Sequence, residues 1–162
     1  MNSLVAGLGN PILSDDAIGP RVVRRVAAAL EETPGLTVVE ECTAGGLDLL
    51  DLLAGRDRVV LVDSIRTREG RPGAWHHFTA DALRETVHLA GIHDANFATA
   101  LALGRRLGVP LPADENVHVF AVEVDNLEEF SERMSPPLEE ALPRLSGEIL
   151  REIREILDAS GA

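Results

Sequence analysis

Three side chains far apart in this sequence, Asp16, Asp63 and His93, have the types that hold a borderline divalent cation. Two carboxylates and one imidazole make an oxygen- and nitrogen-rich set suited to nickel or zinc. Three protein ligands leave coordination positions open for water or substrate, as a catalytic or recognition site requires. Asp94 or Asn96 is in reach in sequence to accept the free imidazole N–H. Each member also has a plainer role open to it. Asp16 can cap a helix, Asp63 can satisfy turn amides as Asp-Ser pairs do, and His93 can cap the helix beginning near Asp94. Their shared expected location favours the site.

That location follows from the elements that carry them. The opening LVAGLGNPILSDDAIG is a short apolar strand, Leu4 to Ala6, running into a glycine turn. Gly7 and Gly9 allow a sharp turn and close backbone approach, and with Asn10 they shape the loop beside Asp16. Asp15 and Asp16 fall at the expected N-terminus of a helix over Ala17 to Leu30, whose Ile18, Val22, Val23, Val26 and Leu30 recur near helical spacing. Thr33-Pro34-Gly35 stops it. A second strand spans Leu36 to Glu41, and a short helix spans Leu47 to Leu53 after Thr43-Ala44-Gly45-Gly46, whose glycines are expected to border the cleft. Val59 to Val62 reads as a buried central strand ending in Asp63.

After the loop around Gly70 to Gly73, Ala74 to Phe78 reads as a strand, with antiparallel pairing open to it, and Asp81 to Leu89 as a weak helix. Gly91-Ile92-His93-Asp94 reads as a break before a helix over Ala95 to Leu107. Val117 to Val122 is the last strand, and Pro137 to Leu157 forms one or two closing helices with a break near Pro143. Repeated βα units predict one domain over 1–162, a three-layer α/β/α sandwich around a mostly parallel, mixed sheet of five or six strands. In such sheets ligands bind outside the carboxyl ends of the strands, where Asp16, Asp63 and His93 are placed.

Composition narrows the function classes. The 162 residues carry a formal net charge of −12 with no lysine, and the arginines are scattered among more numerous acids. Nucleic-acid binders usually show a basic patch, so the expectation is no nucleic-acid partner, while a metal ion or cationic peptide is compatible. The longest aliphatic runs are a few residues long, so no membrane insertion is expected. One cysteine, Cys42, suits a reducing compartment, and MNSLVAGLGN has neither the basic segment nor the apolar stretch of a secretory signal. The expected location is the cytoplasm.

Other constellations are weaker. His76 and His77 are adjacent on a strand and point to opposite faces, which makes them poor joint ligands. His88 and His93 do not share a helical face, and neither HExxH nor GxSxG occurs. Cys42 is expected to be a small buried thiol rather than a nucleophile. GLGNPILSDDAIG lacks the third glycine of a dinucleotide cradle, and its acids would face a pyrophosphate. Glu128, Glu129, Glu132, Glu139 and Glu140 read as a solvated face.

With these residues in view, the chain resembles the hydrogenase maturation endopeptidases over nearly its full length. GLGNPILSDDAIGPRVV is similar to that family's opening signature, and TAGGLDLLDLLAGRDRVVLVDSI to its second block with a strand-terminal aspartate. GIHDANFATAL resembles the third, with its single histidine, and SPPLEEALP the closing segment. The resemblance implies that Asp16, Asp63 and His93 are the metal-binding and catalytic positions, with Asp15 the less certain member of the acid pair. It implies an endopeptidase that removes a C-terminal extension from the large-subunit precursor of a nickel-iron hydrogenase. Nickel would be supplied by the precursor, with zinc or cadmium able to substitute in vitro, and a water would attack the peptide bond. The expected protein is a monomer apart from that partner. Arg66 to Ala90 departs most from the family pattern; its Arg66 to Arg71 stretch reads as a surface loop, with partner recognition the other role open to it.

Two other readings stay open. Peptidyl-tRNA hydrolases also open with GLGNP, but here Ile12 and the acid pair follow, and no histidine precedes His76. A non-enzymatic nickel- or zinc-binding module would use the same triad.

Overall fold

A computed structural model describes residues 1–85 and 92–159, with the side chains of all of these except 83–85 and 92–96. Five strands form one sheet in the order β2-β1-β3-β5-β4: β1 Ser3–Leu8, β2 Leu36–Cys42, β3 Arg58–Ile65, β4 Trp75–Thr79 and β5 Val117–Glu123. The first three strands and β5 run parallel, and β4 joins the edge antiparallel to β5. From β1 the chain moves outward to β2 and then back across to β3. The direction of winding therefore reverses between β1 and β3, and that reversal opens a crevice at their carboxyl ends.

Alternation along the strands builds two cores. Val5, Val60, Val62, Phe120 and Val122 face α1 (Ile18–Ala27) and α5 (Pro136–Asp158). Leu4, Ala6, Val59, Leu61, Val117 and Val119 face the side of α2 (Asp48–Leu53), α3 (Ala80–Glu85) and α4 (Ile92–Arg106). All five apolar residues expected on the first helix are buried, although its last turn, Ala28–Leu30, tightens to a 3₁₀ turn.

Three expectations are corrected. The closing segment is a single helix that runs through Pro143 without the expected break. Pro143 is exposed, so water can take the carbonyl its missing N–H leaves unpaired, while Leu138, Leu142, Leu145, Ile149 and Ile153 are buried as one stripe. Asp63 lies inside β3 rather than ending it, because pairing with β5 continues to Ile65–Glu123. Position 93 lies in the first turn of α4 rather than in a break. Residues 86–89 of the weak helix, with His88, lie outside the described residues.

Asp15 is fully buried, and its carboxylate holds three segments together. Oδ2 accepts from the backbone N–H groups of Asp125 (3.1 Å) and Asn126 (2.8 Å) and from the Ser135 hydroxyl (2.8 Å). Oδ1 accepts from the Ser135 N–H at 2.6 Å. Ser135 precedes the first residue of α5, so the charge also sits at the positive end of that helix. Asp15→Ala leaves these buried donors without an acceptor. The expected loss is about 3 kcal/mol or more in urea unfolding, against under roughly 0.5 kcal/mol for an exposed control such as Glu128→Ala.

The histidine pair divides as alternation requires. The His76 ring meets Glu123 at 3.1 Å, and His77 Nε2 lies 3.0 Å from His118 Nδ1 on the other face. Burial, with contributions from His77 and Arg58, pulls His118 down to about 4. An imidazole that resists protonation only when folded costs stability as pH falls from its unfolded value near 6.5 toward about 4. His118→Gln is expected to flatten the decline in melting temperature between pH 7 and pH 5; an unchanged slope would contradict this.

Candidate functional site

The crevice between β1 and β3 is a cavity of about 360 Å³. Its wall includes Gly9, Asn10 and Asp16 after β1, Cys42 at the end of β2 with Thr43 to Gly46 after it, Asp63 on β3, and Phe97 on α4. Two of the three expected site residues thus share one cavity, together with four of the five loop positions. Gly7 plays a different part. A Cβ there would stand 2.6 Å from the Glu40 carbonyl oxygen and 2.7 Å from that of Gly19, so it lets α1 close onto the sheet.

Asp16 sits in a short 3₁₀ turn, Ser14–Ala17, ahead of α1 and does not cap that helix. Its Oδ2 accepts from the Asn10 N–H at 2.8 Å, and its Oδ1 from the Ser64 hydroxyl at 3.0 Å. The Asp63 Oδ1 accepts from the Ser64 N–H at 2.8 Å. The two acids of the pair have separate work: Asp15 ties segments together, and Asp16 borders the cavity. Ser14, just before them, is held at φ 46°, a left-handed conformation that costs a non-glycine residue free energy.

Position 93 stands one helical turn before Phe97 on α4. The side chains of His93, Asp94 and Asn96 lie outside the described residues. Among the described residues no group of three His, Cys, Asp or Glu side chains could hold a metal ion, so Asp16 and Asp63 form the described part of the candidate centre. Two carboxylates border one cavity, and the donors to Asp16 are a neutral amide and a neutral hydroxyl. Such a set suits a divalent cation as the balancing charge.

Sequence reasoning did not single out Ser64, Phe97 or Glu123. The Asp63-Ser64 pair was legible as a turn signal, but the reach of the hydroxyl to Asp16 crosses 48 positions. Cys42 is half-buried and lines the cavity, instead of being an enclosed thiol. Glu123 is 2 % exposed and accepts from the Thr67 N–H (3.2 Å) and hydroxyl (2.7 Å), so it anchors the arginine-containing loop after β3. The acidic run is exposed throughout, as expected, and within it Glu139 makes a two-pronged pair with Arg21 on α1 at 3.0 and 3.1 Å. That hydrogen-bonded guanidinium holds Glu139 below the ordinary carboxylate range.

A family model for hydrogenase maturation proteases matches residues 20–152, which include Asp63 and His93 but begin after Asp16. The chain belongs to the hydrogenase maturation protease family. The hydrogenase 2 maturation protease of Escherichia coli (strain K12) is 36% identical over 76 residues, spanning 45% of this chain and 44% of that protein, less than half of either. Among solved structures, the hydrogenase maturating endopeptidase HybD from E. coli superposes with a TM-score of 0.70 at 26% identity, covering 96% of this chain and 93% of that one. The [NiFe] hydrogenase maturation protease HybD from Thermococcus kodakarensis gives 0.67 at 22% identity, covering 94% and 99%, which shows the shared fold. Of the readings opened by GLGNP, the family is the first.

Gly9 tests how tightly the loop positions Asp16. Its φ is +146°, and a Cβ would fall 1.9 Å from the Asp16 carbonyl oxygen. Gly45, in the loop after β2, is open: a Cβ there would meet nothing within 4 Å. Gly9→Ala is expected to cost about 2 kcal/mol or more in unfolding free energy, and Gly45→Ala under about 0.5.

Proposed function

We propose that this chain is an endopeptidase that removes a C-terminal extension from the large-subunit precursor of a nickel-iron hydrogenase. The observation that carries the reading is the convergence of Asp16 and Asp63, from separate βα units, on one cavity at the winding reversal of the sheet. Family membership supplies the reaction class. His93 is the third member, on α4, whose Phe97 lines the same cavity.

In this reading nickel belongs to the substrate, already seated in the precursor. The two carboxylates and the imidazole recognise it and so place one peptide bond at the cavity mouth. Hydrolysis forms a bond between a water oxygen and the scissile carbonyl carbon and breaks the C–N bond; the water's proton leaves on the new amine. An acceptor-only carboxylate in the cavity is suited to hold that proton in passage. Selectivity follows from the same contacts, since a precursor without metal offers nothing for them to bind. Zinc or cadmium would serve as probes of the donor set. The chain acts as a monomer in the cytoplasm, without nucleic acid.

The test is the mass of a nickel-loaded precursor, purified from the same cells, before and after addition of the protein. Loss of one discrete C-terminal peptide is expected with the wild type. Asp63→Ala and His93→Ala are each expected to slow it by roughly 100-fold or more, as is withholding nickel. An intact precursor with folded wild-type protein would sink the proposal in favour of a metal-binding module.

A further inference from the structure

Asp16 and Asp63 are carried by different segments, one on a short turn after β1 and one on the last pleats of β3. Ser64 reaches both. Its hydroxyl donates to Asp16 Oδ1 at 3.0 Å, and its N–H donates to Asp63 Oδ1 at 2.8 Å.

We propose that Ser64 is a positioning residue that sets the spacing and orientation of Asp16 and Asp63 for a shared divalent cation. The inference rests on the reading of the cavity as a metal-recognition site. Strand alternation explains how one residue serves both acids. Asp63 projects to the face shared by Val59 and Leu61, and Ser64 to the face shared by Val60 and Val62, which is the side of α1 and the turn before it. The last pleat of β3 therefore grips the cavity from both sides of the sheet. With the Asn10 N–H on its Oδ2, Asp16 has a donor on each oxygen and cannot rotate without breaking one.

The donors on Asp16, the Asn10 N–H and the Ser64 hydroxyl, are neutral and restrain that carboxylate without cancelling its charge. The arrangement is preorganised: geometry is paid for in folding, and a cation completes it. Hydrogen-bond partners of metal-binding side chains commonly carry about 10- to 100-fold of affinity.

The two donors of Ser64 can be separated by substitution. Ser64→Ala keeps the N–H to Asp63 and removes the hydroxyl to Asp16. Ser64→Thr restores the hydroxyl at a strand position that accepts a β-branched side chain. Nickel titration of the intact protein by calorimetry is expected to show binding about 10-fold or more weaker in Ser64→Ala, and within about threefold of wild type in Ser64→Thr. Circular dichroism should show both variants folded. On the nickel-loaded precursor, Ser64→Ala is expected to raise KM more than it lowers kcat, because recognition of the metal is what it loosens. Equal nickel affinity in wild type and Ser64→Ala would overturn the proposal, as would a folded Ser64→Thr no better than alanine or a wild type that takes up no nickel. If nickel binding depends on Ser64 but the precursor stays intact, the cleavage reading falls and the role of Ser64 stands. If cleavage proceeds with KM, kcat and nickel affinity all untouched by Ser64→Ala, the reverse holds.

Discussion

A carboxylate with no exposed surface, that of Asp15, is the tie on which the cavity end of the molecule depends. Burying a charge is costly unless its lone pairs are filled, and here backbone N–H groups and a hydroxyl fill them. The turn after β1, the segment after β5 and the start of α5 are thereby held to one point. Backbone bonds reinforce it, since the Asp15 N–H donates to the Asn126 carbonyl and the Ser14 N–H to that of Ser131. With its turn so anchored, the adjacent Asp16 is presented to the cavity as a fixed group instead of a mobile surface acid.

The parallel sheet supplies the second constraint. Parallel strands need crossovers, and a change in crossover direction leaves the carboxyl ends of β1 and β3 side by side at an open crevice. Apolar packing on both faces makes that platform stiff, with Val60 and Val62 on one side and Val59 and Leu61 on the other. The polar groups of the site stand on the last pleats and the loops, where they border the cavity.

The same kind of tie governs the far side of the β3 end. Glu123 closes β5 with a buried carboxylate that holds Thr67 and the His76 ring, and its backbone pairs with Gly73 and Ala74. The loop after β3 is therefore tied down at both ends while its arginines stay on the surface; Arg66 meets the exposed Glu128. Such a loop can vary in sequence without disturbing Asp63.

The periodicity of Ile18 to Leu30, the apolar run Val59 to Val62 and the glycine turn of GLGN determined the three-layer fold and the rim where Asp16 and Asp63 stand. Those features are local, set by side-chain volume and backbone freedom, so a single chain displays them. The antiparallel edge was legible only as one option, because strand direction depends on the partner. The sequence marked Asp16 as the site member of the acid pair, and tertiary structure decided what Asp15 does. The amides of Asp125, Asn126 and Ser135, brought from more than a hundred positions away, give Asp15 its structural role. The continuity of α5 through Pro143 was decided the same way, by a buried apolar stripe that outweighs one missing hydrogen bond. So was the contact of Ser64, whose hydroxyl finds its acceptor in Asp16 because β1 and β3 are neighbours in the sheet. Hydrogen-bond partners of a polar group are set by distance in space, and distance in space is what a linear sequence does not record.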